Sequence, residues 1–159
     1  MKIIVDAMGG DFAPLAPVQG AIDAAKADGA TVVIALGHLG DDPASQPWTS
    51  EETIANVTGL DAFIDGHSHS TVNGAAVKDK DGNDVVLTQT GEYFGAIGMM
   101  VIDAETGAIT TQLLAADNEI VTAATPDEAV KAIKDAWVAE IDTALGEKIG
   151  STELTFNNY

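Results

Sequence analysis

Three histidines and one aspartate stand at places where side chains of these types can bind a metal ion. His38 lies in a Leu-Gly-His-Leu-Gly segment, and His67 and His69 share the segment Asp-Gly-His-Ser-His. Asp6 ends a short apolar run near the start of the chain. Imidazole and carboxylate together are an ordinary ligand set for zinc, manganese or iron. The His-x-His spacing lets alternate side chains of an extended segment point the same way.

The four residues follow predicted strands. Short apolar runs predict strands over 2–6, 31–36 and 60–64, with a helix over 16–28 and another beginning at a Ser50 cap. Strand, helix and strand in succession predict parallel pairing. Because the carboxyl ends of parallel strands lie along one edge of a sheet, we expect all four side chains there. The alternative stays open that the loop histidines are solvated and that Asp6 caps the following turn.

The second half of the sequence has a different pattern. Segments 77–80 and 84–89 flank Asp81-Gly82-Asn83, and segments 96–103 and 108–114 flank a turn that ends at Gly107. Both patterns predict β-hairpins. We therefore expect an α/β fold with a mixed sheet, parallel as βαβαβ in its first half and antiparallel in its second, with helices packed on the sheet.

A helix and a final strand are predicted to complete the chain. Thr125, Pro126 and Glu128 form a capping box, with Thr125 as the cap. Apolar residues at helical spacing then continue to Gly146, and residues 148–156 predict a strand. We expect a single domain over 1–159.

The composition restricts the partners. Seven lysines and no arginine stand against 25 acidic residues in 159, for a net charge of −18. This balance disfavours nucleic acids and anionic membranes. The chain has no cysteine, which excludes disulfides and thiolate ligands. Without a recognisable signal peptide the expected location is cytoplasmic. No protein partner is indicated; the charge favours a monomer, and an exposed strand edge leaves a homodimer open.

Residues 31–118 resemble the C-terminal half of the catalytic domain of 5'-nucleotidases, members of the calcineurin-like metallophosphoesterases. The residues that carry the resemblance are those of 32–40, the Asp-Gly-His-Ser-His-Ser stretch within 59–70, and Leu-Thr-Gln-Thr-Gly at 87–91. Residues 144–153 also resemble the segment that follows that domain. The family uses two divalent metals to activate a water for attack on a phosphate ester. The resemblance implies that His38, His67 and His69 are metal ligands.

The chain departs from that family in its first strand. The family has Asp-x-His there, whereas this strand ends in Asp6-Ala7-Met8, and the Gly-Asn-His motif is missing. Asp6 can replace the aspartate, but Met8 cannot replace an imidazole on a hard metal. Three or four ligands fit one zinc or manganese ion rather than two.

Residues 1–25 resemble instead the start of bacterial phosphate acyltransferases of phospholipid synthesis, on the segment Met-Lys-Ile-Ile-Val-Asp-Ala-Met-Gly-Gly-Asp. Two family resemblances in one short chain suggest a chimeric, engineered or computationally generated protein, with an acyltransferase-like unit over 1–30, a metallophosphoesterase-like half over 31–118, and a terminal helix and strand over 119–159. We therefore expect a stable protein with no evolved catalytic activity, no required cofactor and at most one bound divalent metal. The alternative is a metal-dependent phosphoesterase that acts on nucleotides or simple phosphate esters.

Overall fold

The computed structural model describes residues 14–155, so the predicted strand over 2–6 and the candidate ligand Asp6 lie outside the described residues. The contacts divide the chain into two compact units, 1–122 and 123–159. Within the described part of the chain, no helix is long and apolar enough to cross a membrane.

The first unit contains a four-stranded mixed sheet. Its strands are β1 (Ile34–Leu36), β2 (Ala62–Asp65), β3 (Thr71–Lys78) and β4 (Asp84–Thr90), in the order β1-β2-β4-β3. β1, β2 and β4 run parallel, and β3 pairs antiparallel with β4. The predicted mixed α/β architecture is confirmed. The sequence pattern showed β4 only as one arm of a hairpin, whereas it is also the parallel neighbour of β2.

Two helices of the first unit supply the apolar side chains that cover this sheet. They are α1 (Leu15–Ala27) and α2 (Ser50–Asn56). The α2 cap is Thr49 rather than the predicted Ser50, because the Thr49 hydroxyl accepts the backbone N–H of Glu52. The buried core joins both helices to the strands and consists of Ile22, Ile54, Val57, Leu60, Phe63, Val85 and Leu87. Removing these side chains from water is the main force that holds the unit together.

The second predicted hairpin forms a separate two-stranded sheet. Strands β5 (Ala96–Ile102) and β6 (Ile109–Ala115) pair antiparallel. In the turn between them the Asp103 carboxylate accepts the backbone N–H groups of Glu105 and Thr106. A short helix that the sequence pattern did not predict, α3 (Glu119–Thr122), follows β6.

Among the described residues of the second unit there is one helix, α4 (Glu128–Leu145). Asp127, not the predicted Thr125, caps it, because its carboxylate accepts the N–H groups of both Ala129 and Val130. The predicted apolar stripe is present, but no residue of α4 is buried. The predicted strand over 148–156 is wrong for its described residues, because 148–155 form no strand.

Candidate metal centre

The structure places two of the three histidines side by side. His38 lies in the loop after β1, and His67 lies in the loop after the neighbouring parallel strand β2. Their ring centroids are 5.2 Å apart and the ring planes cross at 73°. Both side chains are exposed, so a ligand can approach them from solvent. Parallel pairing of β1 with β2 therefore brings two imidazoles to the same edge of the sheet.

A buried carboxylate fixes the two loops to each other. Asp65, the last residue of β2, is only 8% exposed. Its two oxygens accept the backbone N–H groups of Leu39 and Gly40, at 2.8 and 2.9 Å. The loop that carries His38 is thus held against the end of the strand that precedes His67. Hydrogen bonds to a charged acceptor are the stronger kind, which suits a contact that must hold a loop in place.

Two glycines allow the loops to approach closely. A Cβ added at Gly66 would lie 2.9 Å from His38 Nδ1. A Cβ added at Gly40 would lie 3.2 Å from His67 Cδ2, and Gly40 also has a φ of 76°. A side chain at position 66 would therefore press on the His38 ring, and one at position 40 would press on the Ser68 backbone and the His67 ring.

The third histidine has a different partner. His69 Nδ1 lies 2.7 Å from the Glu92 Oε2 atom in the loop after β4. His67 and His69 have φ values of 85° and 57°. The segment is therefore not extended, and the prediction that the His-x-His spacing turns both side chains the same way does not apply. Histidine tolerates this left-handed conformation better than most residues.

Polar side chains around the loops form a second connection. Asp41 accepts the Ser70 hydroxyl at 2.7 Å, and its own N–H donates to Ser68 Oγ. The buried Gln89 accepts both the Ser68 hydroxyl and the Ser70 N–H. The hydroxyl groups of Ser68 and Ser70 beside it lower the pKa of Asp41 from its ordinary value of 3.8. The loops after β1 and β2 are thus joined by these hydrogen bonds as well as by those of Asp65.

These residues do not fit the two-metal centre that the resemblance implies. Among residues 14–155, no group of three or more histidine, cysteine or acidic side chains is arranged to hold a metal ion. Both Asp65 oxygens accept backbone N–H groups, and His69 contacts Glu92 through its Nδ1 atom. The arrangement in the described residues offers two adjacent imidazoles, which can serve one ion.

Asp65 and Asp41 are two residues of the site that no local sequence pattern predicted. Asp65 stands where a strand ends between two candidate loops, and burial of a carboxylate there requires several donors. Asp41 follows Gly40 directly, and nothing in the local sequence pairs it with a serine 29 positions later.

Comparison with known proteins supports both sequence resemblances. No family model matches the chain. The chain is 29% identical over 118 residues to a phosphate acyltransferase of Dictyoglomus thermophilum. The aligned segment covers 72% of this chain and 33% of that protein. The chain is 32% identical over 111 residues to a phosphate acyltransferase of Lactococcus lactis. This alignment covers 70% of this chain and 32% of that protein. The chain thus spans about a third of the length of these relatives.

The fold is similar to that of a 5'-nucleotidase precursor from Thermus thermophilus. The two structures match with a TM-score of 0.58 at 18% identity, over 84% of this chain and 27% of the other. At this identity the match shows a shared fold. An acyltransferase match of 118 residues also extends well beyond residues 1–25. The two similarities therefore overlap along the chain, and a chimeric or engineered origin stays a prediction.

Proposed function

We propose that this chain binds one divalent transition-metal ion through His38 and His67 and has no phosphoesterase turnover. The observation that carries the proposal is the 5.2 Å separation of the two ring centroids. Zinc binds an imidazole nitrogen at about 2.1 Å, which puts each ring centroid about 3.2 Å from the ion. Two such rings at a tetrahedral angle have centroids about 5.2 Å apart. The spacing supports a shared ion, with solvent in the remaining positions.

The chemistry of the pair favours some ions over others. Neutral imidazole suits zinc, copper or nickel better than magnesium or calcium. The net charge of −18 also attracts cations to the protein. His69, the third ligand expected from the sequence, contacts Glu92 through Nδ1, so it would have to bind this ion through Nε2. Asp6 remains a candidate ligand that the described residues do not include.

Isothermal titration with zinc tests the proposal. We expect wild type to bind one equivalent, and His38→Ala and His67→Ala each to weaken binding about tenfold or more. His69→Ala is the matched control, because it removes a nearby exposed histidine that contacts Glu92 rather than the His38–His67 pair. Equal zinc affinity in wild type and His67→Ala contradicts the proposal. Loss of binding in His69→Ala as well supports the three-histidine site expected from the sequence.

The second candidate function is metal-dependent hydrolysis of a phosphate ester. The fold similarity to a 5'-nucleotidase precursor favours it. Two features oppose it: a phosphate dianion is repelled by the acidic chain, and there is no arginine to bind its oxygens. Hydrolysis of p-nitrophenyl phosphate with added zinc or manganese distinguishes the two. A rate above that of buffer and metal alone, lost in His67→Ala, supports the esterase.

The acyltransferase similarity carries no proposal of acyl transfer, because the chain spans only 25–33% of those proteins. We infer that the domain is an engineered or generated composite in which the histidine edge of the sheet is kept without a full ligand set. The absent first-strand imidazole and the single pair of adjacent histidines in the described residues support this interpretation.

A further inference from the structure

Strand β3 contains an asparagine followed by glycine at a break in its pairing with β4. Asn73 is the only asparagine of the sequence that precedes a glycine. The register with β4 shifts between Asn73 and Ala75, so Gly74 between them has no partner strand residue, as the extra residue of a β-bulge does. Gly74 has a φ of 72°, which glycine adopts without steric cost. The peptide after Asn73 is therefore not held in regular extended geometry.

A threonine hydroxyl from the two-stranded sheet contacts this dipeptide. Thr111 Oγ1, on β6, donates to Asn73 Oδ1 at 3.1 Å. A Cβ added at Gly74 would lie 2.3 Å from the same Oγ1 atom, so the hydroxyl also lies against the glycine. Asn73 is exposed, so water reaches its side-chain amide. A side-chain carbonyl, the peptide that follows it, a hydrogen-bond donor and solvent thus meet at one place on the surface.

This arrangement suits a reaction of the chain with itself. We propose that Asn73 is a site of spontaneous deamidation in the folded protein, with the Thr111 hydroxyl as the donor to the reacting carbonyl. The Gly74 nitrogen attacks Asn73 Cγ, and the new bond closes a succinimide ring. The bond from Cγ to Nδ2 breaks, and ammonia leaves with the proton that the Gly74 nitrogen loses. Water then opens the ring at either carbonyl and leaves aspartate or isoaspartate.

Two features of the site favour this reaction over simple retention of the amide. Asparagine is among the residues that limit the chemical lifetime of proteins at high temperature. Attack on its side chain is least hindered where the next residue has no Cβ, as at Gly74. The Asn73 side-chain oxygen gains negative charge as the nitrogen adds to Cγ, and the Thr111 hydroxyl, already in contact, stabilises that charge.

Two other asparagines of the described chain provide internal comparisons. Asn83 is followed by Asp84, and its Nδ2 atom donates to both oxygens of Asp79, at 3.3 and 3.1 Å. Asn56 ends helix α2, and its Nδ2 atom donates to the Glu52 carbonyl at 2.8 Å. In both, the following residue carries a side chain. We therefore expect both amides to outlast that of Asn73.

Peptide mapping by mass spectrometry tests the site. The whole protein is incubated at mildly alkaline and at mildly acidic pH with a chelator present, so that the metal ion proposed above plays no part. We expect Asn73 to convert first, to a mixture of aspartate and isoaspartate, and faster at alkaline pH because the attacking nitrogen must lose its proton. An intact Asn73 amide at alkaline pH, or earlier conversion of Asn83 or Asn56, overturns the proposal.

Variants of β6 test the donor. Thr111→Val removes the hydroxyl at nearly constant volume and should slow conversion of Asn73 about fivefold, less than in a buried active site because this site is exposed. Thr111→Ser keeps the hydroxyl and should convert at close to the wild-type rate. Thr110→Val, at the neighbouring exposed position of β6, is the matched control with no expected effect. Circular dichroism confirms that each variant is folded. An equal or faster rate in folded Thr111→Val overturns the role of the hydroxyl.

Discussion

The carboxylate of Asp65 accepts the backbone N–H of Gly40 at 2.9 Å, across the gap between the loops that carry His67 and His38. Its other oxygen accepts the N–H of Leu39. Two donors from one loop thus converge on one buried side chain at the end of β2. The position of His38 beside His67 follows from this contact as much as from the pairing of the strands.

Replacement of Asp65 by asparagine should therefore destabilise the protein. An amide offers one oxygen acceptor, and its NH₂ group would face the other backbone N–H, which leaves a buried donor unpaired. We expect Asp65→Asn to lower the free energy of unfolding by about 2 kcal/mol in urea denaturation. Asp42→Asn is the control: Asp42 is exposed and accepts one N–H, from Ala44, which an amide oxygen can also accept. Equal stability of both variants would contradict the role of Asp65.

A methyl group at position 66 should separate the imidazoles without disturbing the core. The added Cβ would lie 2.9 Å from His38 Nδ1, closer than ordinary contacts allow. We expect Gly66→Ala to remove the nuclear Overhauser contact between the His38 and His67 rings and to weaken zinc binding about tenfold. Gly20→Ala meets no atom within 4 Å and is the control, because it should raise helix stability and leave the ring contact intact. A retained ring contact in Gly66→Ala would refute the steric argument.

Local patterns predicted much of the fold but little of the site. The hairpin around Gly82 and the βα alternation before β2 follow from turn residues and hydrophobic periodicity, which act over a few positions. The parallel pairing of β4 with β2, the contact of His69 with Glu92 and the burial of Asp65 join residues far apart in sequence. Nothing in the sequence around either partner specifies such contacts.

The cap of α4 was also not predicted correctly, although both candidate residues lie within three positions of each other. Thr125 and Asp127 are both acceptable caps, and the capping-box pattern favours the first. The carboxylate of Asp127 accepts two N–H groups, from Ala129 and Val130, where a hydroxyl usually accepts one.

Replacing each of these two residues by alanine tests which of them caps α4. We expect Asp127→Ala to destabilise α4 by about 1 kcal/mol and to lower its helical content in circular dichroism. Thr125→Ala should leave the helix unchanged. A loss of helix in Thr125→Ala but not in Asp127→Ala would mean that Thr125 caps α4, as the sequence pattern predicts.

The pKa of Asp41 should report the connection between the loops after β1 and β2. The Ser68 and Ser70 hydroxyls hold this pKa below 3.8 in the folded protein. A carboxyl group with a depressed folded pKa contributes stability above its unfolded pKa, and that stability is lost as the pH falls through the folded value. We expect Ser70→Ala to raise the pKa of Asp41 in a carbon-13 titration, while the pKa of Asp103, lowered by Thr106 and Glu105, stays the same. The variant should also lose less stability than wild type below about pH 4, because its folded and unfolded pKa values lie closer together. An unchanged Asp41 titration would mean that the Ser70 hydroxyl does not bind the carboxylate in solution.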